Sequence, residues 1–129
     1  MSHATILRSY FNGKVGKKIE LIHYAIQLGS KIYEFGRYDG TNGKLRVRSS
    51  QSEGEETVTA WKITDEQSKE ILSEINDTFK GDWTVTHNCV SVSMAIIRKH
   101  APPECIKLAE NGENNFKRVI KHLIGEIAW

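Results

Sequence analysis

Cysteine is scarce in this chain of 129 residues: Cys89 and Cys105 are the only two, and neither belongs to a CxxC pair. They allow at most one disulfide, and the expected condition is two reduced thiols, each free to act as core filler or as a nucleophile. Cys and His clusters at short spacing are missing, which excludes a zinc site, so no metal and no cofactor is expected. Long apolar runs are missing too. No stretch approaches the ~20 apolar residues that span a bilayer, so no membrane partner is expected. Met1 to Tyr10 lacks the basic start, apolar middle and small-residue cleavage site of a signal peptide. The expected location is the cytoplasm, unless a specialised secretion system exports the protein. Internal repeats and low-complexity segments are also absent.

What is present describes an ordinary globular protein, 39% apolar and 26% charged, of a length that fits one domain over residues 1–129. The net charge of +2 hides a gradient: residues 1–50 carry nine Lys/Arg against three Asp/Glu, and residues 51–80 carry eight acids against three bases. The basic strand with Lys44, Arg46 and Arg48 has no aromatic interleaving or known nucleic-acid motif beside it. It reads as a solvated face, with no nucleic-acid partner.

Strand patterns fill the first half and helical patterns the second, which predicts an α+β domain: an antiparallel sheet packed against a central, cysteine-bearing helix, with further C-terminal helices. Strands are expected at Ala4–Phe11, Ile19–Leu28, Lys31–Phe35, Lys44–Arg48 and Thr57–Ile63, with Gly29-Ser30 as a two-residue hairpin turn. Gly36 to Gly43 and the polar Ser49 to Glu56 read as loops, the second mobile. Thr64 to Gln67 is a capping box, followed by an apolar stripe of Ile71, Leu72, Ile75 and Phe79, with Gly81 as the stop. Asp82 to His87 reads as extended. Asn88 to His100 is apolar almost all round, hence a buried helix that Pro102-Pro103 ends. A short turn around Glu104 to Ala109 and a last amphipathic helix carrying Phe116, Val119, Ile120, Leu123, Ile124 and Ile127 complete the chain.

Cys89 begins the most buried of these helices. A thiol at a helix N-terminus faces unsatisfied backbone amides, which favour the nucleophilic thiolate and can hold an oxyanion. The alternative is a buried structural cysteine, and a neighbouring base would decide between them. Of five histidines, His3 lies near the terminus, His100 and His122 read as helix-surface or boundary residues, and His87 precedes Cys89 in an extended segment, directed away. His23 alone sits in an otherwise apolar strand. A Gly29-Ser30 turn pairs Leu28 with Lys31 and sets His23 opposite Gly36. Glu34 then lies diagonally across on the face of His23 and Gln27, where a carboxylate holds the imidazole tautomer; the other reading of Glu34 is a solvated strand residue.

Two segments resemble the PPPDE family of permuted papain-like isopeptidases. His23 to Gly36 (HYAIQLGSKIYEFG) is similar to that family's histidine hairpin, and Trp83 to Val90 (WTVTHNCV) to its aromatic residue, short extended stretch and Asn-Cys at a helix start, in the permuted order of His before Cys. The resemblance implies a Cys89–His23 catalytic pair, with Asn88 and Trp83 as oxyanion or substrate contacts and Glu34 as the nearest third residue. It also implies a peptidase or isopeptidase acting through a thioester on a protein or peptide, including ubiquitin-like conjugates. The family's Asn-Cys-Asn is replaced here by Asn88-Cys89-Val90, which bears on the substrate. The wider superfamily of NlpC-type and lecithin-retinol acyltransferase-like enzymes shares the Cys/His core, so an acyltransferase or cell-wall amidase remains an alternative. A catalytically inactive binding domain is another.

Overall fold

Gly29 and Ser30 join two neighbouring strands in a two-residue turn. Gly29 takes a φ of 61°, a left-handed conformation that costs a residue without Cβ nothing. Leu28 consequently pairs with Lys31, in the register expected from the turn. The computed structural model describes residues 2–11, 18, 21–39 and 42–123. Within these, β1 (Ser2–Tyr10), β2 (Ile22–Leu28), β3 (Lys31–Asp39), β4 (Asn42–Arg48), β5 (Glu56–Ile63) and the two-residue β6 (Gly81–Asp82) form one antiparallel sheet in the order β5-β1-β2-β3-β4-β6. Three helices follow among the described residues: α1 (Asp65–Thr78), α2 (Cys89–His100) and α3 (Pro103–Leu123). The architecture is α+β.

The core lies between the sheet and the helices. Ile22, Tyr24, Ile26 and Leu28 alternate along β2 and join Phe35, Trp61 and Ile63 beneath Ile71 and Ile75 of α1, Met94, Ile96 and Ile97 of α2, and Phe116 and Ile120 of α3. A second, smaller buried cluster of Leu7, Ala25 and Ile32 comes from the intervening positions. β2 therefore buries apolar side chains on one face and, on the other, sets Ala25 between His23 and Gln27.

Several boundaries differ from expectation. The Gly36 to Gly43 loop is mostly strand: β3 and β4 continue toward each other, and a register shift between Gly36 and Asp39 absorbs an extra residue. A bulge of this kind lets a ladder pass through glycine-containing sequence. The Asp82 to His87 stretch is extended only at its start. The Thr84 hydroxyl accepts from the amides of Thr86 and His87, and the Thr84 amide donates to the His87 carbonyl at 2.8 Å, which curls the chain into a turn before α2. The capping box of α1 is formed, with the Thr64 amide on Gln67 Oε1 and the Gln67 amide on Thr64 Oγ1. Ile19, Ile124 and Ile127 lie outside the described residues.

The expected turn at Glu104 to Ala109 is part of α3, which runs unbroken from Pro103. Proline is at ease in the first helical position, where its missing N–H is no loss. Gly112, inside this helix, has a packing role. The Tyr24 hydroxyl donates to the Ala109 carbonyl at 2.8 Å, and a Cβ on Gly112 would stand 2.0 Å from that hydroxyl oxygen and 3.0 Å from Ile22 Cδ1. Helix propensity alone favours alanine over glycine by ~1 kcal/mol, yet Gly112→Ala is expected to destabilise the protein by about 1–3 kcal/mol through overpacking. Urea denaturation checks this, and Tyr24→Phe in the same background should recover part of the loss.

Candidate functional site

Asn88 sets the start of α2. Its Oδ1 accepts from the amides of Val90 and Ser91, both at 3.0 Å, while its own amide donates to Ser91 Oγ at 2.8 Å. Its Nδ2 donates to the carbonyls of Thr84 and Val85. Every polar atom of this buried side chain is thus committed to holding the turn against the helix. Asn88, expected as an oxyanion or substrate contact, is thus the cap that builds the helix start, with its Nδ2 on the turn. The cap also occupies the amides of Val90 and Ser91, so the Cys89 amide is the helix-start donor that the cap does not consume.

Cys89 occupies the first turn, 0% exposed. Its partner from the sheet is His23, which lies two residues beyond the last β2–β3 pair, Ala25 with Glu34. Glu34 reaches His23 diagonally, with Nε2 to Oε2 at 2.8 Å. This leaves Nδ1, buried and without a formed hydrogen bond, as the other ring nitrogen. Burial opposes a charge on the imidazole, but negative charge on the Cys89 sulfur, followed by Glu34, outweighs it and raises His23 to about 10.

Glu34 is 8% exposed at its side chain, which excludes the solvated reading. Burial would raise its pKa, but His23 and then Arg48 overcome that and hold the carboxyl at about 2. Arg48 Nε donates to Glu34 Oε1 at 3.2 Å, and the Arg48 Nη atoms donate to both carboxylate oxygens of Glu55 at 2.9 and 2.5 Å. Arg48 therefore does not belong to a solvated basic face. The loop expected to be mobile is pinned by these contacts and by Glu55 Oε1, which accepts from the Ser52 amide. The sequence carries no signal for Glu55. The spacing of Arg46 and Arg48 does carry one, since alternate residues of a strand share a face and Glu34 pairs with Arg46.

Phe11 covers His23 edge-on with ring centroids 5.3 Å apart, and Trp83 in turn packs edge-on against Phe11 at 6.4 Å. Trp83 therefore borders the site through Phe11. The remaining candidates are placed elsewhere. His87 Nε2 donates to the Lys80 carbonyl, His100 pairs with Glu74 of α1, Gln27 donates to the Gly29 carbonyl, and the Cys105 thiol faces the Ala60 carbonyl. Among the described residues no group of three or more His, Cys, Asp or Glu could hold a metal ion, and no helix is long and apolar enough to cross a membrane. A groove of about 480 Å³ adjoins the start of α2 through Asn88, Val90 and Ser91, and continues to Arg98, Glu113 and Phe116. The thiol does not line it. No protein-family model, curated protein or solved structure matches the chain.

The two shifts act with opposite sign on stability. Glu34, lowered from its ordinary 4.5, stabilises the fold above that pH and ceases to as pH falls through about 2; His23, raised from 6.5, stabilises below that pH and ceases to as pH rises through about 10. In Glu34→Gln the His23 pKa should fall by about 1–3 pH units, read from imidazole NMR titration. The stability difference between wild type and this variant should be full between pH 4.5 and 6.5, and narrow both as pH drops toward 2 and as it rises toward 10.

Proposed function

We propose that the chain is a cysteine amide hydrolase of the permuted papain-like type, with Cys89 as nucleophile, His23 as base and Glu34 as the carboxylate that orients it. What supports this reading is the meeting of three groups: a thiol buried at the first turn of a helix, an imidazole close enough to feel that thiol's charge and with a free buried nitrogen, and a buried carboxylate on the imidazole's other nitrogen. Nucleophile, base and orienting acid form the recurrent constellation of acyl transfer.

With Nε2–H donated to Glu34, Nδ1 is the nitrogen available to take the thiol proton. The Cys89 thiolate attacks the amide carbonyl carbon, and the Cys89 amide N–H helps hold the resulting oxyanion. The His23 imidazolium then protonates the leaving amine as the C–N bond breaks, which leaves a thioester. His23 next takes a proton from water, whose oxygen attacks the thioester and releases a carboxylic acid and the free thiol. The resemblance of the two segments to PPPDE isopeptidases points to a peptide or isopeptide amide in a protein substrate.

Since Cys89 is fully buried and Phe11 packs edge-on against His23 with Trp83 behind it, a substrate must displace this aromatic cover. Phe11→Ala should accelerate alkylation of Cys89 by iodoacetamide, followed by mass spectrometry of the labelled peptide.

The central test combines labelling with activity. His23→Ala should slow Cys89 alkylation near neutral pH by about 10²-fold or more, the contribution usual for a positioned base. Cys89→Ala should abolish hydrolysis across a panel of fluorogenic peptide and isopeptide amides while leaving the circular dichroism spectrum unchanged. Faster labelling of Cys105, or indifference of Cys89 to His23, sinks the proposal. The burial of the thiol favours a second reading, a catalytically silent binding domain; it gains if no panel member is hydrolysed and Cys89→Ala retains every biological effect.

A further inference from the structure

Behind the His23–Glu34 pair stands a second pair, on β4 and the loop that follows it. The Glu55 side chain is 1% exposed and that of Arg48 13%, so both charges are removed from water, where neither persists without a partner. Glu55 binds both Nη atoms of the guanidinium and accepts the Ser52 amide, and Arg48 Nη1 also donates to the Ser50 carbonyl. With those groups committed, Nε is the donor that reaches Glu34, at Oε1. The other oxygen, Oε2, is the one on His23. The two carboxylate oxygens are thus held by different partners, which fixes the plane of the carboxylate as well as its charge.

We infer that Arg48 and Glu55 are positioning residues for His23: Glu55 aims the guanidinium, the guanidinium orients Glu34, and Glu34 presents one oxygen to the imidazole. The inference rests on the proposed roles of His23 and Glu34. Lysine at 48 cannot replace arginine, because a single ammonium lacks the planar fork that engages Glu55 while leaving Nε for Glu34. Arg46, the other cation near Glu34, lies 4.0 Å away and is 58% exposed, so it supplies a weak field without fixing orientation. Among the described residues, the titratable and charged groups facing the pair are Cys89 from α2, Arg46 and Arg48 from β4, and Glu55 from the loop. A staple that merely tied the loop to the sheet would hold Arg48 and Glu55 together without needing Nε on Glu34.

The experiment uses the whole chain in two backgrounds. In Cys89→Ala, side-chain NMR titration follows His23 and Glu34; in the thiol-bearing chain, the pH profile of Cys89 alkylation by iodoacetamide is recorded. Arg48→Met should move the Glu34 titration up by about one pH unit or more. Arg48→Lys keeps the charge and loses the fork, so it should lower the His23 titration and shift the alkylation profile with it, and Glu55→Gln, which leaves the guanidinium unaimed, should lower the His23 titration by less. Arg98→Gln, which breaks the remote pair with Glu113, should lower the melting temperature and leave every titration in place. If Arg48→Met, Arg48→Lys and Glu55→Gln lower the melting temperature but move neither titration, the two residues are a staple and the inference is overturned. Titrations that shift while alkylation proves independent of His23 uphold the positioning and remove the catalytic reading alone.

Discussion

Glu34 carries a negative charge into a part of the sheet that water hardly reaches, and its neighbours answer to that fact. A buried carboxylate without partners would protonate. Here His23 takes one oxygen and Arg48 the other, Arg48 is balanced by Glu55, and Glu55 fixes the loop that returns the chain to β5. The sequence of partners leads from the surface of the loop to the thiol of Cys89. Remove the first charge and each later group loses the reason for its ionisation state, which is why the imidazole and the carboxyl move in opposite directions.

The helix that bears Cys89 is built under a different constraint. Helix N-termini expose amides, and those amides can serve either the fold or an oxyanion. Asn88 and Ser91 claim most of them for the fold, and this makes the turn after β6 rigid and places Cys89 without freedom to wander. The thiol is buried, and Phe11 packs against His23 beside it with Trp83 behind Phe11. Precision and access are opposed in this site, and the aromatic cover is where they are reconciled.

Much of the fold was legible because local chemistry agreed with the tertiary result. The Gly29-Ser30 turn set the register that brings Glu34 diagonally to His23, and Thr64 with Gln67 announced α1. Asn88 before an apolar run marked the start of α2; the role of oxyanion or substrate contact came with the family resemblance, and the side chain is the cap of that helix. What stayed hidden depended on distant partners. Gly112 resembles a helix break until Tyr24 is seen against it. Gly36 resembles a loop until the bulge opposite β4 is known. Glu55, in a run of polar residues, has the sequence surroundings of a solvated acid and is instead enclosed by Arg48. Arg48 alternates with Arg46 on what passes for a wet face, and only the β3–β4 pairing reveals that a carboxylate faces that row.

The position of β1 has a consequence in time. It lies inside the sheet, between β2 and β5, with Ile6 across from Ile26 on one side and Thr59 on the other. β2, β3 and β4 are sequential neighbours and can assemble as soon as they leave the ribosome, and β1 can add to them. Its second edge must wait until β5 ends at Ile63, about 35 residues after the end of β2 at Leu28, at a rate of ~5–20 residues per second. For those seconds an edge strand containing Ile6 and Leu7 stands unpaired, so the nascent chain passes through an interval in which it is open to pairing with another copy, and contacts so far apart in sequence slow the final closure.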